Sequence, residues 1–484
     1  MTNSKKIAAG LMALSMAAGL SACGNSNSGT ESTSETTVET TTAKTVAVNT
    51  EALKDEEQAV LEDLMSQLQD VELENKEVKW MAHYDLNPSS EGNSKSVGLE
   101  MFEQKYGGKI THVPTTWDAR FTDLAKAVTG GDGIDLFPGD DTSNFPNGIV
   151  KGMFQPIDDY VDLNSELWQS MGAAMDIYKF GGKHYELVTS VTAEQVVIYN
   201  TQTLEENGLD DPWDLYKEGN WNWDTFKQML LDYVDVENEQ YGLDGFWAEK
   251  ALYLSAGKPF VESVDGSLVS NYKDATLEKA MNFQYDLFTN GLVFNREQFE
   301  WKEQPQMMGS GNQLFYIVGS WHIRKDPETW ATEIEPDKLG IAPVPSPADS
   351  DPYQAATIGG YVICKGAQNP QGAALFAECQ LLGSLDEKAI AISDRKLKDD
   401  CKWSDDIIAR EKEINELARQ YPVVDLATGT GDVKRYTTDG GDNVGSRAAL
   451  HGTDWATTRE TYADGVEVLV AEIDEDLQKK IAEG

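Results

Sequence analysis

Cysteine is scarce in this chain: Cys23, Cys364, Cys379 and Cys401 are the only four in 484 residues, and no two share a CxxC spacing. Cys364, Cys379 and Cys401 allow either a single disulfide or buried free thiols, and a thiolate metal centre is disfavoured. Histidine occurs only at positions 83, 112, 184, 322 and 451, without zinc-site spacing. Basic side chains are also few, 40 Lys and Arg against 82 Asp and Glu, which leaves a net charge of -42. A field of that sign repels phosphate backbones, so nucleic acid is excluded as a partner and a polyanionic ligand is disfavoured. Beyond residue 23 no run of 18 uninterrupted apolar residues occurs, so no later segment reads as a membrane span. GxSxG, HExxH and P-loop patterns are missing, and the Asp-rich stretches at 235–244 and 439–443 lack the EF-hand register. No catalytic residue, metal ligand or cofactor is assigned.

What is present suffices for folded cores. Hydrophobic residues make up 40% of the chain, and its length exceeds what one core fills, so two lobes are expected. At the N-terminus Lys5 and Lys6 precede an apolar run from Ile7 to Leu20, too short for a permanent span. The segment Leu20-Ser21-Ala22-Cys23 then resembles the lipobox of bacterial lipoproteins. That resemblance implies removal of residues 1–22 and acylation of Cys23. Membrane contact would be through this N-terminal lipid only, with the folded part at the extracytoplasmic face of the cell membrane. Residues 23–50 contain SETTVETTTAKT and little to bury, so a disordered tether is expected there. Over 51–76, Leu53, Val60, Leu64, Leu68 and Val71 recur at helical spacing and predict an amphipathic helix.

From Val78 onward short strands alternate with helices. Val78–His83, Lys109–Val113 and Ile134–Phe137 read as strands, separated by helical stripes that stop at Gly107-Gly108 and Gly130-Gly131. This βαβα alternation predicts a sheet with helices on both faces. Val196–Tyr199 is too apolar for an exposed strand, and a crossing between lobes is expected there. QLFYIVG, KLGIAPVP and TIGGYVICKG are three further strand-like runs, and Asn369-Pro370 opens a helix in N-cap and N1 order.

Six segments in chain order resemble the extracellular solute-binding family 1, the group that includes maltose-binding protein: LAKAVTGGDGIDLF, GMFQPIDDYV, GGKHYELVTSVTAEQVVIYN, GNWNWDTFKQML, VGSWHI and KGAQNPQGAALFAE. The resemblance implies an α/β, two-lobe periplasmic-binding-protein-like (type II) fold with hinge strands and a ligand cleft. It implies a first lobe of 77–187 plus 312–365 and a second of 188–311 plus 366–484. The chain departs from the family where a hydrophobic residue and a proline usually follow the Gly-Lys-x-Tyr turn; here Glu186-Leu187-Val188 stand instead.

The implied activity is capture of a sugar or oligosaccharide by lobe closure and delivery to the permease subunits of an ABC importer, by a monomer that is not an enzyme. Sugars present hydroxyl pairs at the ring edge and C–H patches on its faces, so aromatics beside carboxylates suit them. Trp117, after the second strand, is a candidate contact, with helix-start packing as the rival reading. Asp140 and Asp141 follow the third strand and serve either as contacts or as a helix N-cap. Trp321 and Trp247 match family aromatic positions. Glu194 lies at the crossing, where it would contact ligand or stabilise the hinge. Tyr84 and Asp85 end the first strand, with surface solvation as the rival. Tyr361 stands beside two glycines and is either a contact or a hinge tyrosine. Trp221, Trp223 and Trp455 are expected to pack. A non-sugar solute on the same fold (polyamine, peptide or metal chelate) is the alternative, ahead of a surface glycoside hydrolase.

Overall fold

Apolar residues in short runs, spaced by helices, pair in parallel at the start of the chain and build the first sheet outward. The computed structural model describes residues 50–87, 95–323, 330–437 and 444–483. Cys23, the leader and the tether lie outside them, as does the Asp-rich stretch at 439–443.

The opening strands are β1 (Glu77–Ala82), β2 (Lys109–Pro114) and β3 (Leu136–Pro138). A small hairpin of β4 (Lys179–Phe180) and β5 (Lys183–His184) leads into β6 (Glu186–Ala193), and β7 (Val196–Asn200) follows two residues later. Then come β8 (Tyr241–Gly245), a hairpin of β9 (Val261–Val264) and β10 (Ser267–Ser270), β11 (Gln313–Val318), β12 (Leu339–Ala342), β13 (Gln354–Ile363) and β14 (Pro422–Val423).

One sheet has the order β14-β13-β3-β1-β2, with β6 on the other edge of β13. Within it β1 is parallel to β2 and β3, and β13 runs antiparallel to β3 and β6. The other sheet has the order β12-β7-β11-β8. The chain passes from one to the other at Glu194-Gln195, between β6 and β7, and returns between β12 and β13. Both crossings are stitched. Glu194 N donates to Ala355 O at 2.8 Å, and the buried Gln354 side chain bonds the Val344 backbone in both directions, at 3.2 and 3.0 Å. Two lobes, each with its own sheet, therefore meet at a short bundle of crossing segments.

The strand pairing corrects the lobe boundaries read from sequence. Residues 312–365 were expected together in the first lobe, but β11 and β12 pair with β7 and β8, and only β13 joins the first sheet. β11 and β12 are buried on both faces, so no polar face shows which sheet takes them. The helix Pro370–Leu385 was expected in the second lobe, yet it packs against β6 and the helix Val97–Tyr106. Its capping residue fixes this. Asn369 Oδ1 accepts from Gly372 N at 2.9 Å, while Nδ2 donates to Asn75 O and Glu77 O at the start of β1. The N-terminal helix also ends earlier than expected, at Gln67. Leu61, Leu64 and Leu68 are buried, but Val71 lies past the helix end and is exposed.

Trp221 and Trp223 pin a helix start as expected. Their indole N–H groups donate to Pro343 O and Pro345 O at 2.8 and 2.9 Å, and Trp455 is buried among Phe260 and Tyr272. Cys364 and Cys379 are free, buried thiols. Among the described residues no helix is long and apolar enough to cross a membrane.

Candidate functional site

Because β1, β2 and β3 are parallel, the loops after them emerge at one sheet edge, where open α/β sheets receive ligands. The side chains there touch one another across the loops. The His83 ring lies 5.2 Å from the Trp117 ring, edge to face. The Arg120 guanidinium sits 3.7 Å over the same indole, and its Nε donates to Asp141 at 2.8 Å. Asp141 also accepts from Ser143 N at 2.9 Å, so its carboxylate is a cap and the clamp that holds Arg120 under Trp117. The indole is 51% exposed, a fixed apolar platform with one face backed by the cation.

Asp140 is open to solvent, yet protein crowds it enough that desolvation is the main influence on its carboxyl. Desolvation first, then the Asp141 charge, push the Asp140 carboxyl up to about 6, against an opposing pull from Arg120. Tyr84 and Tyr361 lie within its field. Burial first, then Asp140, raise both phenols well above their usual value. Tyr361 is a core residue, 8% exposed, edge-on to Trp80 at 5.5 Å. Asp85 points elsewhere. It caps its own turn by accepting from Asn87 N and Nδ2 at 2.9 and 2.8 Å.

A second group gathers beside the crossing. Phe246 is 4.4 Å from Trp247 and 5.9 Å, edge-on, from Trp321. Trp247 holds a left-handed backbone at φ 63° as it starts the helix Ala248–Leu254. Gly319 is required beside Trp321, since a Cβ there would stand 2.1 Å from the indole nitrogen. From that helix Lys250 Nζ bonds Glu194 Oε1 at 2.8 Å, which ties the second lobe to the crossing. Tyr178, stacked on Phe145 at 4.4 Å, feels the charges of Glu186, Asp140, Asp141 and Glu194 together.

The structure thus gathers Tyr84, Trp117, Asp140, Asp141 and Tyr361 at one edge, with Glu194, Trp247 and Trp321 at the crossing; Asp85 is outside. Sequence reasoning missed Arg120, Lys250, Phe246 and Glu186. Glu186 is 1% exposed, and neither of its carboxyl oxygens has a hydrogen-bond partner. Burial, then Asp140, push its pKa well above the ordinary carboxyl range. Its signal was in the sequence, an acid standing where the family pattern has a hydrophobic residue. Among the described residues no group of three or more His, Cys, Asp or Glu is placed to hold a metal ion.

Two α/β lobes with a polar and aromatic wall at the strand ends beside their crossing define a solute-binding protein. A profile of bacterial extracellular solute-binding proteins matches residues 87–381, and the chain belongs to that family. Solved structures share the fold. The extracellular solute-binding protein of Staphylococcus aureus in complex with maltose is 11% identical, with a TM-score of 0.55, over 85% of this chain and 99% of that one. A sugar transporter from Rhizobium etli in an open conformation is 16% identical, with a TM-score of 0.56, over 81% and 98%. The GacH receptor of Streptomyces glaucescens, solved unliganded and with acarbose, is 15% identical, with a TM-score of 0.53, over 82% and 98%. No match to a curated protein sequence is found.

Proposed function

We propose that this chain captures a sugar or oligosaccharide between its lobes and hands it to the permease of an ABC importer, as a monomer tethered to the extracytoplasmic face through acylated Cys23. The observation that carries the sugar reading is the wall of Trp117 and Asp140. A half-exposed indole held rigid by Arg120 offers a stacking face for a pyranose ring. The carboxylate beside it offers acceptors for ring hydroxyls, each such bond contributing on the order of 1–3 kcal/mol. Trp247, Trp321 and Glu194 supply a second wall on the far side of the crossing. A guest touching both walls favours the closed arrangement, and that arrangement is what a permease reads.

In this reading the protein is a binder rather than a hydrolase; Asp141 clamps Arg120 and Glu194 pairs with Lys250, which leaves Asp140 as the carboxylate that meets the sugar. A thermal-shift panel of mono- and oligosaccharides, polyamines and peptides tests the proposal. A true ligand at a hundred times its Kd stabilises by about 2.7 kcal/mol. At least one saccharide is expected to raise the melting temperature and to be recovered unhydrolysed. A panel in which only peptides respond, or in which the sugar is cleaved, contradicts the proposal.

A further inference from the structure

Charge pairing at the site does not close. Among the described residues its two cations are already taken, Arg120 by Asp141 and Lys250 by Glu194. Asp140 gains from Arg120 only through space. Beneath it lies Glu186, buried and with both oxygens unpartnered. The Glu186 side chain reaches directly under the Asp140 loop. Its Oε1 lies 2.5 Å from where a Cβ on Gly139 would stand, and 2.8 Å from that of Gly360. Only glycine at these two positions leaves room for the carboxyl. A folded chain rarely keeps an unpartnered buried carboxyl, because the group loses its hydration and gains nothing in return.

We infer that the saccharide taken by this site carries a protonated amine, an amino sugar or an amine-bearing oligosaccharide, whose ammonium sits against Asp140 over the buried Glu186 carboxyl. The inference rests on the saccharide reading and sharpens it. An ammonium brings three donors and a positive charge to the Asp140 carboxylate, which no cation pairs among the described residues. The groups facing Asp140 are Tyr84, Tyr361, Tyr178, Asp141, Arg120 and Glu186. Of these only Arg120 is cationic, so a neutral hydroxyl leaves the imbalance in place. Burial first, then neighbouring acids, raise both carboxyls, Asp140 to about 6, so Asp140 is ionised at neutral pH and regains a proton below about 6. An arriving ammonium favours their ionised forms, so binding releases protons and tightens as pH rises through about 6.

The test uses the full chain and matched sugar pairs: glucosamine with N-acetylglucosamine, galactosamine with N-acetylgalactosamine, and a β-1,4-linked glucosamine tetramer with its fully N-acetylated twin. Isothermal titration calorimetry in two buffers of different ionisation enthalpy reads affinity and proton release together. In the pair that binds, the amine member is expected to be tighter by about tenfold or more and to release protons. Asp140→Asn should collapse that ratio towards one. The exposed acid Glu237, changed to Gln, controls for the general negative field and should leave the ratio intact. A neutral member that binds as well as its amine twin overturns the inference and leaves the saccharide reading standing. If spermidine binds and no sugar of any kind does, the saccharide reading falls and takes the inference with it.

Discussion

Glu186 titrates under conditions that folding imposes. Its carboxyl is pushed up by burial, so between its unfolded value of 4.5 and its higher folded value the native chain holds a proton that the unfolded chain has released. The stability that goes with the neutral form is full below the unfolded value and is lost as pH rises above it. Glu186→Gln keeps the shape and removes the titration. Its melting temperature relative to the parent is expected to climb as pH rises above the unfolded value of 4.5 in scanning calorimetry. A flat difference contradicts the assignment. Trp117 makes the opposite case. Half exposed and resting on Arg120 and His83, it does little for the core. Trp117→Ala should change unfolding free energy by no more than roughly 0.5 kcal/mol while weakening saccharide binding by roughly tenfold. Equal losses in both would make the indole a packing residue.

Elements in this fold are joined by single buried polar side chains. Asp425, just past β14, accepts from Tyr253 Oη, Phe260 N, Val261 N and Ala427 N at 2.7 to 3.2 Å. It thereby fixes the helix Ala248–Leu254 and the hairpin β9–β10 to the segment after the crossing strands. Asp425→Ala strands buried N–H groups and is expected to cost about 3 kcal/mol or more in urea unfolding. A cost under about 1 kcal/mol would mean water replaces the carboxylate. The elements themselves were legible in the sequence. Apolar runs gave β1, β2 and β7 to within a residue or two, and Asn369-Pro370 marked its helix start. What was not legible was allegiance. β11 and β12 are buried along their whole length and the helix Pro370–Leu385 along most of its own, so their pattern announces burial without naming the sheet. The site was half legible for a related reason. Trp117, Asp140 and Trp321 could be nominated because strand ends and family motifs point to them. Arg120 and Lys250 were missed, because charged residues in a chain with 122 of them carry no positional signal until partners converge.

At the scale of the whole molecule, two sheets are joined at 194–195 and again between β12 and β13, with hydrogen bonds stitching both crossings and Asp425 adding a buried tie between them. The Glu194–Lys250 pair at 2.8 Å lies where a hinge rotation would be felt first. The charge of -42 discourages self-association, which fits the tethered monomer proposed above. Small-angle X-ray scattering of the full chain, with and without a saturating saccharide chosen by the thermal-shift panel, tests lobe closure most directly. The account predicts a smaller radius of gyration in the presence of the sugar, and no such change for Trp117→Ala at the same sugar concentration. Identical profiles with and without a sugar independently known to be bound would contradict it.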